Sequence, residues 1–461
     1  GTKTRVEAFL YCARQDQESR RDRGPGRSLA RIERAKRWVS DMRDSGDTVL
    51  VPRLTDGAEV LAACLQGLGL RAECLPVPDR DALRAGRRHT SGKECLPMAV
   101  TLGSFLQRIE QAPDDRYVLL MPSAQGPCRF GLYNMLLKVI IERLGAGDRI
   151  SVWTPVEKEY FAEAGDGFEG LAFSGIAAAD MLLHAKLQAR PAERRPGSAE
   201  AIYRRFMDEL LELVREQSRG TIGASRSAWE ASTGRMFGCG PLLERAAAEF
   251  ARVMDDRSLP TVLLVGEIYV RSDPFSSDRV VERLEERGLR VRLAPASGWF
   301  EYTTELALRR GERSGVGPRL AQKVQQRILE RTYQVMAEAL GWPPRSGLGE
   351  VLEAASDYLS PELWGEAVLT VGEAMHQWRE DEIDGALSIG PLECMPNKIA
   401  EAQLFHAAEQ EGLRTVTLSV NGEPIDEEAL DSFAFQVRRD FRRRGSRGGP
   451  RYRDLRVAAR R

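Results

Sequence analysis

Three of the chain's seven cysteines sit in turns of one kind. Cys95 lies in Gly92-Lys93-Glu94-Cys95-Leu96-Pro97 and Cys394 in Gly390-Pro391-Leu392-Glu393-Cys394-Met395-Pro396, while Cys128 lies in Gly126-Pro127-Cys128-Arg129. Each has a proline within two residues and a glycine shortly upstream. A thiolate in such a turn is exposed beside free backbone N–H groups and available to a metal or a cluster. The phrase Glu-Cys-x-Pro occurs at 94–97 and again at 393–396, and a third copy stands at Glu73-Cys74-Leu75-Pro76. That third copy continues an apolar strand with no glycine turn before it, so it is expected to be buried and to bind nothing.

Other chemistries compete for these cysteines. Zinc usually takes four ligands, often from C-x-x-C pairs, and the chain has no such pair. A thiol nucleophile needs a base, usually histidine. His89 is six residues before Cys95, whereas His184, His376 and His406 lie in helical runs. Three inert thiols are the remaining reading. Cys239, in Gly238-Cys239-Gly240-Pro241, is a further turn cysteine that could supply a fourth ligand, although it sits in a helical stretch. Cys12, Cys64 and Cys74 have apolar contexts in which a buried unreactive thiol is the default. An odd cysteine number in a large chain with no secretory signal argues against disulfides.

The elements that must position these turns alternate strand and helix. Strands are expected at Thr48–Pro52, Leu70–Pro76, Tyr117–Pro122 and Arg149–Pro155, and again at Pro260–Gly266, Leu289–Pro295, Gly385–Gly390 and Thr415–Val420. This texture predicts an α/β protein with two Rossmann-like, doubly wound parallel-sheet domains. Residues 1–46 form a charged helical lead-in arm, with a helix from Ser28 carrying Leu29, Ile32, Ala35 and Val39 on one face. Residues 47–155 make the first α/β domain and 156–258 a mainly helical connector, where Ile202, Phe206, Leu210 and Val214 repeat at four-residue spacing. Residues 259–425 make the second α/β domain, and 426–461 a C-terminal helix and a basic tail. Ser360-Pro361 reads as a helix start, serine as N-cap and proline in the first turn.

In open α/β sheets ligands collect at the carboxyl ends of strands. Cys128 and Cys394 follow strands directly, and Cys95 and Cys394 open helices, where unpaired N–H groups and the helix dipole favour an anion. A cluster with its thiolates is such an anion, and N–H···S bonds raise its reduction potential. The two blocks must face each other for Cys394 to join Cys95 and Cys128. A three-cysteine cluster leaves one iron open.

The bulk numbers exclude other classes. With 67 basic and 68 acidic residues the net charge is −1, so no global field argues for nucleic acid. Only eight of the basic residues are lysines, and Lys93 and Lys398 lie close to Cys95 and Cys394. No apolar run is long enough for a membrane span and no signal peptide is recognisable, so a soluble cytoplasmic protein is expected. The chain opens on Gly1, which suits a segment of a longer polypeptide as well as a trimmed chain.

The segments Ser91–Pro97, Gly126–Gly131, Gly266-Glu267-Ile268-Tyr269-Val270-Arg271 and Gly390–Asn397 together resemble the 2-hydroxyacyl-CoA dehydratase-like superfamily, in its activase-related branch. The resemblance covers about residues 47–440. It implies a 4Fe-4S cluster on Cys95, Cys128 and Cys394 between the two domains. It also implies an ATP-dependent activase partner of the ASKHA type, on a separate chain or a fused domain, that delivers one low-potential electron. The electron would serve reduction or radical dehydration of a small substrate, with an acyl-CoA among the candidates. The alternative is a non-catalytic cluster-bearing partner or maturation component of such a system, and a dimer is compatible with either. The chain has fewer paired cysteines than a double-cubane protein and no P-loop, so ATP is expected to bind elsewhere.

Glu267 and Tyr269 are the catalytic candidates. They follow the strongest strand of the second block, with Arg271, and could donate protons or orient a substrate, or else make structural bonds at the domain junction. Ser297-Gly298-Trp299-Phe300-Glu301-Tyr302 is a second candidate cleft loop.

Overall fold

The computed structural model describes residues 39–124, 126, 128–155, 164–165, 167–312 and 315–445. Cys12, the expected helix from Ser28 as far as residue 38, and the tail past Gly445 lie outside the described residues. The described residues belong to one contact-clustered unit.

Strands form where apolar, branched runs end at proline or glycine. β1 (Thr48–Val51), β2 (Arg71–Cys74), β3 (Tyr117–Leu120) and β4 (Ile150–Trp153) pair in parallel in the order β2-β1-β3-β4. β5 (Thr261–Gly266), β6 (Arg290–Leu293), β7 (Gly385–Pro391) and β8 (Thr415–Val420) repeat that plan in the order β6-β5-β7-β8. The protein is therefore α/β with two four-stranded parallel sheets.

Successive side chains of a strand point to opposite faces, and both faces are apolar here because both are covered. In the first sheet Val49, Val51, Val118 and Leu120 pack against the helices Gly57–Gly67 and Phe168–Ala189. Leu50, Leu119 and Met121 pack on the other side against Leu96–Gln111 and Tyr133–Arg143. In the second sheet Val262, Leu264, Leu387 and Ile389 meet the helices Val280–Glu286 and Glu427–Gly445, while Leu263, Val265 and Ala386 meet Ala367–Arg379 and Met395–Glu411.

The helix Leu96–Gln111 fastens the two halves together. Its Met98, Leu102 and Phe105 join the first-sheet core, and its Leu96, Ala99 and Val100 join the second-sheet core. It packs tightly against the helix Arg80–Arg87 through two glycines: a methyl group at Gly86 would lie 1.7 Å from the Ala99 carbonyl oxygen, and one at Gly103 1.6 Å from that of Ala82. Cys95 caps this helix and so stands at the junction of the halves.

A helical layer is built from Phe168–Ala189, Ser198–Gln217, Ala224–Thr233 and Cys239–Val253. The long helix Val316–Leu340, inserted between β6 and β7, joins the same core through Ile328, Leu329, Val335 and Met336. The sequence reading does not anticipate that crossing. Ser360-Pro361 does not start a helix: Ser360 Oγ accepts from the Glu362 N–H in a turn. The helix begins only at Ala367, after Gly365 at φ +109°. No helix among the described residues is long and apolar enough to cross a membrane.

Candidate functional site

Cys95, Cys128 and Cys394 share one local geometry. Each caps a helical segment (Leu96–Gln111, the 3-10 turn Arg129–Leu132 and Met395–Glu411), with φ of −69°, −71° and −68° and an extended ψ. None of the three side chains makes a capping hydrogen bond, so each sulfur stands at a helical start without taking up its N–H groups. Pro97 and Pro396 occupy the first turn, where a missing N–H removes no helical bond. The approach to each cysteine needs a left-handed residue: Gly92, Gly126, and Glu393 at φ +61°. A non-glycine residue in that region is uncommon and marks a backbone held by its surroundings.

One side chain holds the three turns together. Arg129, next to Cys128, donates from Nη1 to the Lys93 carbonyl oxygen at 2.5 Å and from Nη2 to the Glu393 carbonyl oxygen at 2.6 Å. Those carbonyls lie two residues before Cys95 and one residue before Cys394. The fork of a guanidinium thus links turns that are far apart in sequence. From the second half, Trp364 packs on Gly126, where an added methyl would come within 3.1 Å of its Cβ.

An acidic group faces the thiols. Glu267 lies within electrostatic reach of Cys95, Cys128 and Cys394. It caps the short helix Ile268–Ser272 by accepting from the N–H groups of Tyr269 (3.1 Å) and Val270 (2.8 Å). Burial raises its pKa against those bonds and against Arg271. Glu366, capping Ala367–Arg379, is in reach of Cys128 and Cys394 as well. It pairs with Arg271 at 2.5 Å and accepts from the Ile268 N–H at 3.2 Å. Burial raises its carboxyl, with Arg271 opposing.

The two candidates separate. Glu267 stands beside the thiols, whereas Tyr269 is 6 % exposed in the apolar cluster of the second sheet, with Asp273, Ser276 and Thr101 as its polar neighbours. Tyr269 belongs to the packing at the junction. The phenol at the thiols is Tyr133, whose hydroxyl is 2.5 Å from Cys95 Sγ. Tyr133, Glu366 and Arg129 escape the sequence reading because each acts through contacts between distant segments. Only the repeated turn context of Cys128 could have drawn attention to Arg129.

The expected cleft loop at 297–302 is instead the start of the helix Ser297–Arg309, and its Tyr302 is buried with its hydroxyl on the Leu363 carbonyl oxygen at 2.7 Å. Cys239 and Cys64 are fully buried together in the helical core, and burial pushes each thiol up to about 12. Cys74 is half-buried at the end of β2, with Glu73 bound to Arg108 at 2.7 and 2.9 Å. Lys398 binds Glu401 on its own helix and Ser419 on β8.

Burial raises the Cys95 thiol, and it pushes Cys128 to about 11 and Cys394 to about 12, with Glu267 adding to each shift. Without a cation nearby all three keep their protons at neutral pH, so metal loading must release protons. Among the described residues no group of three or more His, Cys, Asp or Glu side chains is arranged around a single ion. Cys95, Cys128 and Cys394, on turns linked by Arg129, are the residues that would hold a polynuclear cluster, which spreads its thiolates around a larger body. No known family model matches the chain, and no curated protein matches it.

Proposed function

We propose that the chain is an iron–sulfur protein of the 2-hydroxyacyl-CoA dehydratase-like type, with two Rossmann-like domains holding a 4Fe-4S cluster on Cys95, Cys128 and Cys394. The observation that carries this reading is the Arg129 fork, which ties the three cysteine turns to one another across both halves. When bound, such a cluster supplies one-electron reduction, and three thiolates leave one iron for a substrate.

The chain's own residues have separable tasks. Arg129 fixes the spacing of the turns. Cys95 and Cys394 stand at helix starts, where the helix dipole favours negative charge on sulfur. Tyr133 holds Cys95 through its hydroxyl, and Glu267 and Glu366 set acidic groups beside the thiols. The electron comes from an ATP-dependent activase of the ASKHA type, and the outcome is reduction or radical dehydration of a small molecule.

The test is anaerobic purification followed by visible absorption and EPR after dithionite. A reducible cluster signal is expected, altered in Cys394→Ser. A metal-free protein under strict anaerobiosis, with the same spectrum in that variant, would sink the reading.

A further inference from the structure

A cavity of about 120 Å³ lies away from the thiols. It opens between β6, the helix Phe168–Ala189 and the inserted helices Ser297–Arg309 and Val316–Leu340, and no cysteine lines it. Leu329, Tyr333 and Trp342 form an apolar wall on the helical side.

Two polar atoms in this lining have no protein partner: His184 Nε2 and Glu373 Oε2. Ser297, 1 % exposed, sets its hydroxyl beside Asp180 and keeps acceptor capacity. Buried polar atoms are nearly always hydrogen-bonded, so such groups around one space point to bonds supplied by an occupant. The three differ in what they offer. His184 donates its other ring nitrogen to the Leu293 carbonyl, and burial pushes it down to about 4, so Nε2 presents a bare lone pair. Burial pushes Glu373 up to about 7, which keeps a carboxylic acid proton available to donate near neutrality. The serine hydroxyl accepts.

Two arginines of the wall are ion-paired: Arg292 meets Glu382 at 2.9 Å, and Arg345 meets Glu301. A hydroxyl group suits the cavity, giving its proton to His184 or Ser297 and accepting from Glu373. At about 120 Å³ it is somewhat smaller than the roughly 150 Å³ of an apolar cavity that holds benzene, so a ring fills it.

We propose that this cavity is a binding site for a small uncharged hydroxylated molecule the size of phenol, its ring against Trp342 and Tyr333 and its hydroxyl among His184, Ser297 and Glu373. The site does not depend on the thiols, and its test needs no iron.

Phenol, benzene and benzoate are titrated separately into the metal-free full chain, with binding read by ligand-observed NMR and thermal unfolding. Gly298 offers a way to fill the site. It lines the cavity, and a methyl there would meet only Pro295 Cγ at 3.9 Å and Glu373 Oε1 at 4.0 Å, ordinary contacts. Phenol is expected to bind saturably and more tightly than benzene, with benzoate not binding. Ser297→Ala should weaken phenol several-fold and leave benzene unchanged. Gly298→Leu should abolish both while keeping a cooperative melt. Absence of saturable phenol binding, which would leave the space to ordered water, overturns the proposal. So does phenol binding that survives Gly298→Leu, or benzoate binding more tightly than phenol.

Discussion

The two sheets repeat one strand order, β2-β1-β3-β4 and β6-β5-β7-β8, yet they present different side chains at matching places. After the central strands β3 and β7 both halves place a cysteine, Cys128 and Cys394. The helix that leads into β3 is capped by Cys95, whereas the helix that leads into β7 is capped by Glu366. The loop after β1 carries Arg53 paired with Asp56 and Glu59, all partly exposed. The loop after β5 carries Glu267 and a buried Arg271 paired with Glu366. One half supplies two thiols, and the other supplies one thiol and two carboxylates neutralised by an arginine. The asymmetry gives the junction a thiol side and an acidic side.

The arginines should show the largest difference. Arg271 and Glu366 are 6 % and 12 % exposed, so Arg271→Met strands a buried carboxylate and should cost about 3–5 kcal/mol in urea unfolding. Arg53 is 22 % exposed, and Arg53→Met should cost only about 1 kcal/mol. Equal losses would break the comparison.

Backbone geometry should separate the halves next. Gly266 closes β5 at φ +104°, and a methyl there would sit 2.1 Å from the Ile389 carbonyl oxygen. Gly266→Ala should therefore cost about 1–3 kcal/mol from the backbone alone, with the clash in addition. β1 ends at Val51-Pro52 and has no such constraint.

The acidic side should also give a pH signature. Burial pushes Glu373 to about 7, above the ordinary carboxylate value of 4.5. Between these limits the folded chain keeps a proton that the unfolded chain has already released. Stability should then fall as pH rises through this window and level off above about 7. Glu373→Gln should flatten part of that slope in denaturation curves taken from pH 5 to 9, a span set by the same linkage. An unchanged slope would mean that Glu373 titrates as it does in the unfolded chain.

Much of this frame was legible in the chain itself. All eight strands among the described residues fall inside or within a residue of the segments read from apolar runs closed by proline or glycine, because such runs have few other ways to be buried. The three copies of Glu-Cys-x-Pro show where letters stop informing. Glu94 folds back onto the Ser91 and Lys93 N–H groups, Glu393 takes a left-handed backbone, and Glu73 binds Arg108. Context distinguished the turns, but no local pattern foretold the partners. Tyr133 sits 38 residues from Cys95, and Arg129 sits 264 residues from Glu393. The Ser360-Pro361 signal gave way to a turn because Gly365 and the packing of Trp364 decide where the next helix begins.

Iron and acid-labile sulfide per chain, measured after anaerobic reconstitution of six single Cys→Ser variants, tests the central claim most directly. Replacement of Cys95, Cys128 or Cys394 should each sharply lower both contents. Replacement of Cys64, Cys74 or Cys239 should leave them at the unsubstituted level, since these thiols lie in the helical core or on β2. Equal contents across all six variants, or a loss in Cys239→Ser matching that in Cys394→Ser, would contradict a cluster held by the three converging turns.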